Sequence, residues 1–167
     1  MEVYDSYPLL LPRCVQDRRK HDLDSLKRTM TELVQRLDMQ QQLVYSVSRH
    51  APENSRELKA ASTSRMVILG EFSDQTIFGA PSTNHAQRAW HDNKHLELGA
   101  DTDMLGELRV AITQANEASR LMGDTAADWI FSDIFGQTLH MCQYNLFPLD
   151  QTGFVHHFVT TGQVARF

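Results

Sequence analysis

The feature that most constrains the fold is an apolar repeat near the start of the chain. Its two heptad seam positions are occupied by Leu23, Met30, Leu37 and Val44 and by Leu26, Leu33, Gln40 and Val47. Since no glycine or proline interrupts the repeat before Pro52, it predicts one long helix over residues 22–49. The apolar stripe could pack on the rest of the domain or on a second copy of the chain. The polar seam residue Gln40, which would fix the register between paired helices, favours a homo-oligomer that associates through this helix.

The rest of the chain is also predicted to be mainly helical. Residues 1–21 lack periodicity and are expected to form an extended arm, and the polar segment 50–64 is a connector. Capping and turn residues delimit three further helices, over residues 83–98, 104–122 and 125–146. The second of these is expected to pack through Leu105, Leu108, Ile112, Ala115 and Ser119. One strand is expected at Met66–Gly70, and residues 150–167 suggest no definite element.

No Pro/Gly/Ser-rich linker divides the sequence, so residues 1–167 are predicted to form a single, mainly α-helical domain. The expected architecture is a helical bundle with one long N-terminal helix and a helical hairpin over residues 83–122. The short loop that starts with Gly99 folds the two hairpin helices back on each other.

Charge and hydropathy exclude several classes of function. The chain carries 16 basic and 21 acidic side chains, a net charge of −5, whereas a nucleic-acid-binding protein needs a cationic face. No apolar run is long enough to span a membrane, and the N-terminus does not resemble a signal peptide. The two cysteines, Cys14 and Cys142, do not make a disulfide framework, so a cytoplasmic protein is expected. Its partner would then be a small molecule or another protein.

Eight histidines are the outlying count, and two of them lie one helical turn apart in the segment HDNKH. His91 and His95 project from the same helix face, while Asp92 lies at the edge of that face. Antiparallel pairing of the hairpin helices brings Glu107 opposite His95. Two imidazoles and a carboxylate suit one divalent metal ion, and iron is the expectation if the site does oxygen chemistry. If the site is catalytic, Asp92 and Glu107 are the groups expected to transfer protons.

The spacing His91-Asp92-x-x-His95, then eleven residues, then Glu107 resembles the HDxxHx11E pattern of the Coq4 family of ubiquinone-biosynthesis proteins. The resemblance covers about residues 86–118 and includes Gly106 directly before the glutamate. It implies that all four motif residues hold a divalent metal, usually zinc, in a mainly helical protein. It further implies association with prenylated quinone precursors, and a reaction that removes a ring carboxyl group with hydroxylation.

The predicted helix 125–146 carries a line of polar and aromatic residues on an otherwise apolar sequence: Trp129, Asp133, Gln137, His140 and Tyr144. Buried polar side chains need partners. Asp133, Gln137 and His140 could therefore support the metal ligands or face a bound substrate. The alternative is that this line of residues faces water.

Two other functions fit the same residues. A phosphohydrolase of the HD type would use the His91-Asp92 pair, Asp133 as the distant acid and His50 as an additional histidine. A non-catalytic metal-stabilised interaction or assembly protein, including one of viral or mobile-element origin, would use the metal to stabilise its fold and the helix 22–49 to dimerise. An open coordination position that faces an apolar pocket would favour catalysis, and a closed four-ligand site would favour the structural role.

Overall fold

A computed structural model describes residues 23–48, 66–71 and 73–167. The predicted arm 1–21 and the predicted connector 50–64 lie outside the described residues, as do His50 and Cys14. Helices dominate the described part of the chain, beside one small two-stranded sheet, which confirms the mainly α-helical fold class. No helix in these ranges is both long and apolar enough to cross a membrane.

The first helix, α1 (Leu23–Gln41), is shorter than the 22–49 prediction. Gln42 follows it with a positive φ of 47°, and Tyr45–Ser48 then forms strand β1. This strand pairs in parallel with β2 (Met66–Leu69), in the region where a strand was predicted. The prediction was wrong beyond residue 41 because apolar spacing alone does not distinguish a continuing helix from a short strand.

The apolar stripe of α1 packs inside its own chain. Leu26, Met30, Leu33, Val34 and Leu37 are all buried and belong to the main hydrophobic cluster. The central part of the heptad seam is therefore covered by the same chain rather than presented to a second copy. Homo-oligomerisation through this helix stays a prediction, now without an exposed seam to support it.

The hairpin forms as the sequence predicts, from α2 (Pro81–Leu98) and α3 (Met104–Met122). Gly99 ends α2 in the left-handed conformation, with φ 56°, where a residue without a Cβ is favoured. Asp103 caps α3 by accepting a hydrogen bond from the backbone N–H of Gly106 at 2.8 Å. These two ends fix where Glu107 enters the hairpin.

The packed face of α3 differs from the predicted one. Leu105 is 69% exposed and Ile112 is 47% exposed. The buried residues are instead Gly106, Val110, Ala111, Gln114 and Ala118. Three of these five are glycine or alanine, which let the helix axes approach closely, so α3 turns its small residues inward and leaves two large ones outside.

The predicted helix 125–146 is present but interrupted. It consists of α4 (Asp124–Phe131), a π-helical turn (Ser132–Gly136) and α5 (Gln137–Tyr144). The last helix, α6 (Gln151–Thr161), occupies the segment for which no element was predicted. Its Phe158 ring lies against Gly136, where an added Cβ would come within 2.9 Å of it. The π turn therefore packs directly on α6.

Candidate metal centre

Three side chains of the hairpin converge on one point. The Nε2 atoms of His91 and His95 lie 3.2 Å apart. One carboxylate oxygen of Glu107 lies 3.3 Å from Nε2 of His91, and the other lies 3.2 Å from Nε2 of His95. The structure thus brings together three of the four predicted metal ligands.

Local structure explains the convergence. His91 and His95 stand one turn apart on α2, with their rings edge to face at a centroid separation of 4.8 Å. Glu107 lies in the first turn of α3, directly after the residue whose N–H Asp103 caps. The tight loop between the helices therefore aims the carboxylate at the two rings. His95 is 2% exposed, so the group is closed on that side.

The other ring nitrogens fix the direction in which the imidazole lone pairs point. Nδ1 of His91 lies 3.1 Å from Oε1 of Gln114, and Nδ1 of His95 lies 3.3 Å from the carbonyl oxygen of Ala100. Both partners are acceptors, so each Nδ1 carries the proton and donates it. In the neutral rings, each Nε2 then presents a lone pair to the shared point, which is how metal-binding histidines are oriented.

The distances fit a small divalent cation. A zinc ion at about 2.0–2.1 Å from two nitrogens, at a near-tetrahedral angle, separates those nitrogens by about 3.3–3.4 Å. The observed separations of 3.2–3.3 Å lie close to that value. The donor set and its geometry therefore both fit a zinc-like ion.

Electrostatics also favour positive charge at this point. Burial alone would lower the pKa of His91, but the hydrogen bond and negative charge of Glu107 outweigh it and raise this pKa to about 9. Burial alone would raise the pKa of Glu107, yet hydrogen bonds to both histidines hold this pKa well below its usual range. A carboxylate that stays ionised is the form that binds a metal.

Asp92 is not brought into the converging group. It follows His91 on α2 and is therefore rotated about 100° around the helix axis. Its side chain lines the adjoining cavity, and burial raises the pKa of its carboxyl group. Of the two predicted roles, the geometry agrees with a nearby acid better than with a fourth ligand.

A cavity of about 820 Å³ opens beside the metal group. Its polar lining residues include His91, Asp92, Glu107, Asn84, Gln87, Arg88, Asp133 and Gln137. Other lining residues are apolar: Leu69, Met104, Ile134, Met141, Phe147, Pro148 and Leu149. This volume falls in the range of sites that hold small organic molecules.

Asp133 in the π turn and Gln137 at the start of α5 both line this cavity. Gln137 donates from Nε2 to Oδ1 of Asp133 at 2.9 Å. Burial raises the pKa of Asp133 to about 7, against the opposing influence of His91, Gln137 and Arg88. A carboxyl group that changes charge near neutral pH is suited to accept or deliver a proton.

His140 has a different place. It is fully buried, its Nδ1 lies 2.8 Å from the carbonyl oxygen of Leu146, and its ring packs on Phe154. It does not line the cavity, so this predicted support for the metal site serves the core instead. The alternative that the line of polar residues faces water is wrong, since Asp133, Gln137 and His140 are all buried.

Two functional groups were missed from the sequence. Gln114, which orients His91, lies seven residues after Glu107 and thus on the same face of α3, a register that could have identified it. The carbonyl of Ala100, which orients His95, is a backbone group and leaves no signal in residue type.

A second polar cluster ties the two hairpin helices together. Glu117 accepts a hydrogen bond from Nε1 of Trp90 at 2.9 Å and pairs with Nζ of Lys94 at 2.7 Å. Lys94 also pairs with Glu97 at 2.7 Å. Because both donors lie on α2 and Glu117 lies on α3, these bonds hold the helices in the register that the metal group needs.

The phosphohydrolase alternative explains less of the observed group than the metal-site prediction does. His95 and Glu107, which it leaves without a role, are the residues that converge with His91, and His50 lies outside the described residues. Asp133 does line the same cavity as His91.

Comparison of the chain with protein-family models, curated proteins and solved structures finds no match.

Proposed function

We propose that His91, His95 and Glu107 bind one divalent transition metal, with zinc first and iron as the alternative. The observation that carries the proposal is the arrangement of the two imidazoles. Each Nδ1 is held by an acceptor, and the two Nε2 atoms face each other at 3.2 Å beside a carboxylate. Two lone pairs at that separation repel unless a cation or a proton lies between them.

We further propose that the site is catalytic and acts on a small organic molecule. His91 and Glu107 line the cavity, so the ligand group is open toward it rather than enclosed by protein on all sides. A metal bound there would supply a Lewis acid that polarises a substrate oxygen or activates water. The chain itself supplies Asp92 and Asp133, which line the same cavity, as proton-transfer groups, and Gln137 holds Asp133 in place.

The reaction suggested by the Coq4 resemblance is part of this proposal. Three of the four motif residues converge, and the adjoining cavity has apolar lining residues, which suit a quinone-precursor-like ring. The resemblance implies metal-assisted decarboxylation with hydroxylation: the bond from the ring to its carboxyl group breaks, CO2 leaves and a C–OH bond forms. This replacement is a two-electron oxidation, so it needs dioxygen as oxidant, and that chemistry belongs to the iron alternative. Cytoplasmic location and homo-oligomerisation are retained as predictions, and neither is needed for the chemistry.

Elemental analysis of purified protein after zinc loading and gel filtration tests the metal site. Wild-type protein should retain about one zinc per chain, as expected for a single site with imidazole and carboxylate ligands. The His95→Ala and Glu107→Gln variants should retain much less, while His156→Ala, a histidine outside the group, should match wild type. Circular dichroism identifies any variant that fails to fold. Equal, negligible zinc in wild type and His95→Ala would refute the proposal.

The structural alternative has one observation in its favour. The ligands come from both hairpin helices, so a metal would also cross-link α2 and α3. Acetohydroxamic acid, a small chelator, separates the two roles because it needs free coordination positions on the metal. Binding to the zinc-loaded protein in calorimetry supports the catalytic site, whereas no binding to fully loaded protein supports the closed structural site.

A further inference from the structure

Asn84 is a buried polar residue in the cavity wall to which the proposed chemistry gives no role. It is 2% exposed, and its Nδ2 has no hydrogen-bond partner among the described residues. Leaving a buried donor unpaired is costly, and such groups in folded proteins call for an explanation. A bound molecule that carries an acceptor would supply the missing partner.

The helix places Asn84 in line with the metal group. Asn84 precedes His91 by seven residues on α2, so the two share a face and are separated by about 10 Å along the axis. Arg88 lies between them, but it already donates from Nη1 to the carbonyl oxygen of Leu69 at 2.6 Å. Its charge is also balanced by Asp92 and Asp133. Asn84 is therefore the donor in this row that is left for a ligand.

We propose that Asn84 is a substrate-binding residue that donates a hydrogen bond to an uncharged carbonyl oxygen at the end of the substrate remote from the metal. This inference rests on the proposed function, because the metal anchors the other end. A neutral amide side chain has no charge to offer a carboxylate, and the nearby Asp92 and Asp133 disfavour a second anion. Ile134 and Met141 line the same cavity and suit an apolar segment between the two ends.

Two matched probes test this assignment on zinc-loaded protein by calorimetry. Both are linear aliphatic hydroxamates of equal length, whose hydroxamate group chelates the metal; one ends in a primary amide and the other in a methyl group. The proteins are wild type, Asn84→Leu, Asn84→Asp and a control, Asn93→Leu. Asn93 lies on the same helix but donates to Glu97 and does not line the cavity.

Wild type and the Asn93→Leu control should bind the amide-ended probe about tenfold more tightly than the methyl-ended one. Asn84→Leu should lose this preference, because the donor is gone. Asn84→Asp should lose it too in titrations at about pH 9, where even a buried carboxyl group with a raised pKa is ionised and repels the carbonyl. This nearly isosteric variant keeps the test valid if the leucine variant does not fold. Both variants should still bind acetohydroxamic acid.

Equal affinity of wild type for the two probes would overturn the role of Asn84 and leave the metal site intact. The same conclusion follows if both Asn84 variants keep the tenfold preference. If wild type retains no zinc and binds no hydroxamate, the proposed function fails, and the inference fails with it. The zinc content and the acetohydroxamic acid titration thus separate the two failures.

Discussion

Replacing Gly106 with alanine should damage both the fold and the metal site. A Cβ at this position would stand 1.7 Å from the carbonyl oxygen of Asp101. Because this neighbour is backbone, no side-chain rotation relieves the clash, and the loop or the start of α3 must move by more than 1 Å to restore ordinary contact. Glu107 is the next residue, so the displacement reaches the metal group directly.

The magnitude follows from the overlap. Overpacking costs about 1–3 kcal/mol, and a clash with rigid backbone belongs at the upper end. For a chain of this length, that cost lowers Tm by about 6–12 °C. Zinc affinity should fall at least tenfold because one of three ligands is displaced. Thermal melting monitored by circular dichroism and competition with a zinc chelator measure the two effects.

The exposed neighbour Leu105 provides the control. Leu105→Ala shortens a side chain that is 69% exposed, so its Tm should stay within about 2 °C of wild type and its zinc affinity should not change. A Gly106→Ala variant that matches wild type in both Tm and zinc affinity would refute the claim that close approach of the loop positions Glu107.

Three further changes test other parts of the structure. Removal of zinc by EDTA should lower Tm by about 5–11 °C, relative to protein in which the free zinc concentration is about a hundred times the Kd. An unchanged Tm would mean that the folded chain binds no zinc. The carboxyl group of Asp133 has a raised pKa of about 7 in the metal-free folded protein, whereas its pKa in the unfolded chain is about 4. Between these pH values the folded protein holds a proton that the unfolded chain has lost. The free energy of unfolding should therefore fall by up to about 1.4 kcal/mol per pH unit as the pH rises. In denaturant titrations, Asp133→Asn should remove this pH dependence, and the variant should be more stable than wild type at pH 8. If the stability of both proteins changes with pH in the same way, the assignment to Asp133 is wrong. Gly136→Ala should cost about 1–3 kcal/mol in the same titration, because its Cβ would meet the buried Phe158 ring at 2.9 Å, and an unchanged midpoint would show that the π turn tolerates a side chain there.

The hairpin could be predicted from sequence because its signals are local. Gly99 and Asp103 mark the ends of two helices, and the i, i+4 spacing of His91 and His95 fixes their shared face. Antiparallel pairing across a short loop then places Glu107 opposite them without further information. The convergence of the three side chains is a direct consequence of that register.

The errors arose where tertiary contacts override local pattern. The heptad repeat continues past Gln41, but pairing of Tyr45–Ser48 with Met66–Leu69 ends the helix, and such pairing depends on residues far along the chain. The face of α3 was misjudged because Leu105 and Ile112 were weighted by hydrophobicity, whereas close helix packing selected the smaller residues.

Zinc K-edge X-ray absorption on the zinc-loaded protein tests the proposed metal site most directly. We expect the zinc to be coordinated by two imidazole nitrogens at about 2.0–2.1 Å and by carboxylate oxygen, with the outer-ring scattering of two histidines. Glu107→Gln should weaken the oxygen contribution and keep the imidazole signal in whatever zinc remains. A spectrum with no imidazole scattering, or a protein that retains no zinc, would contradict the account.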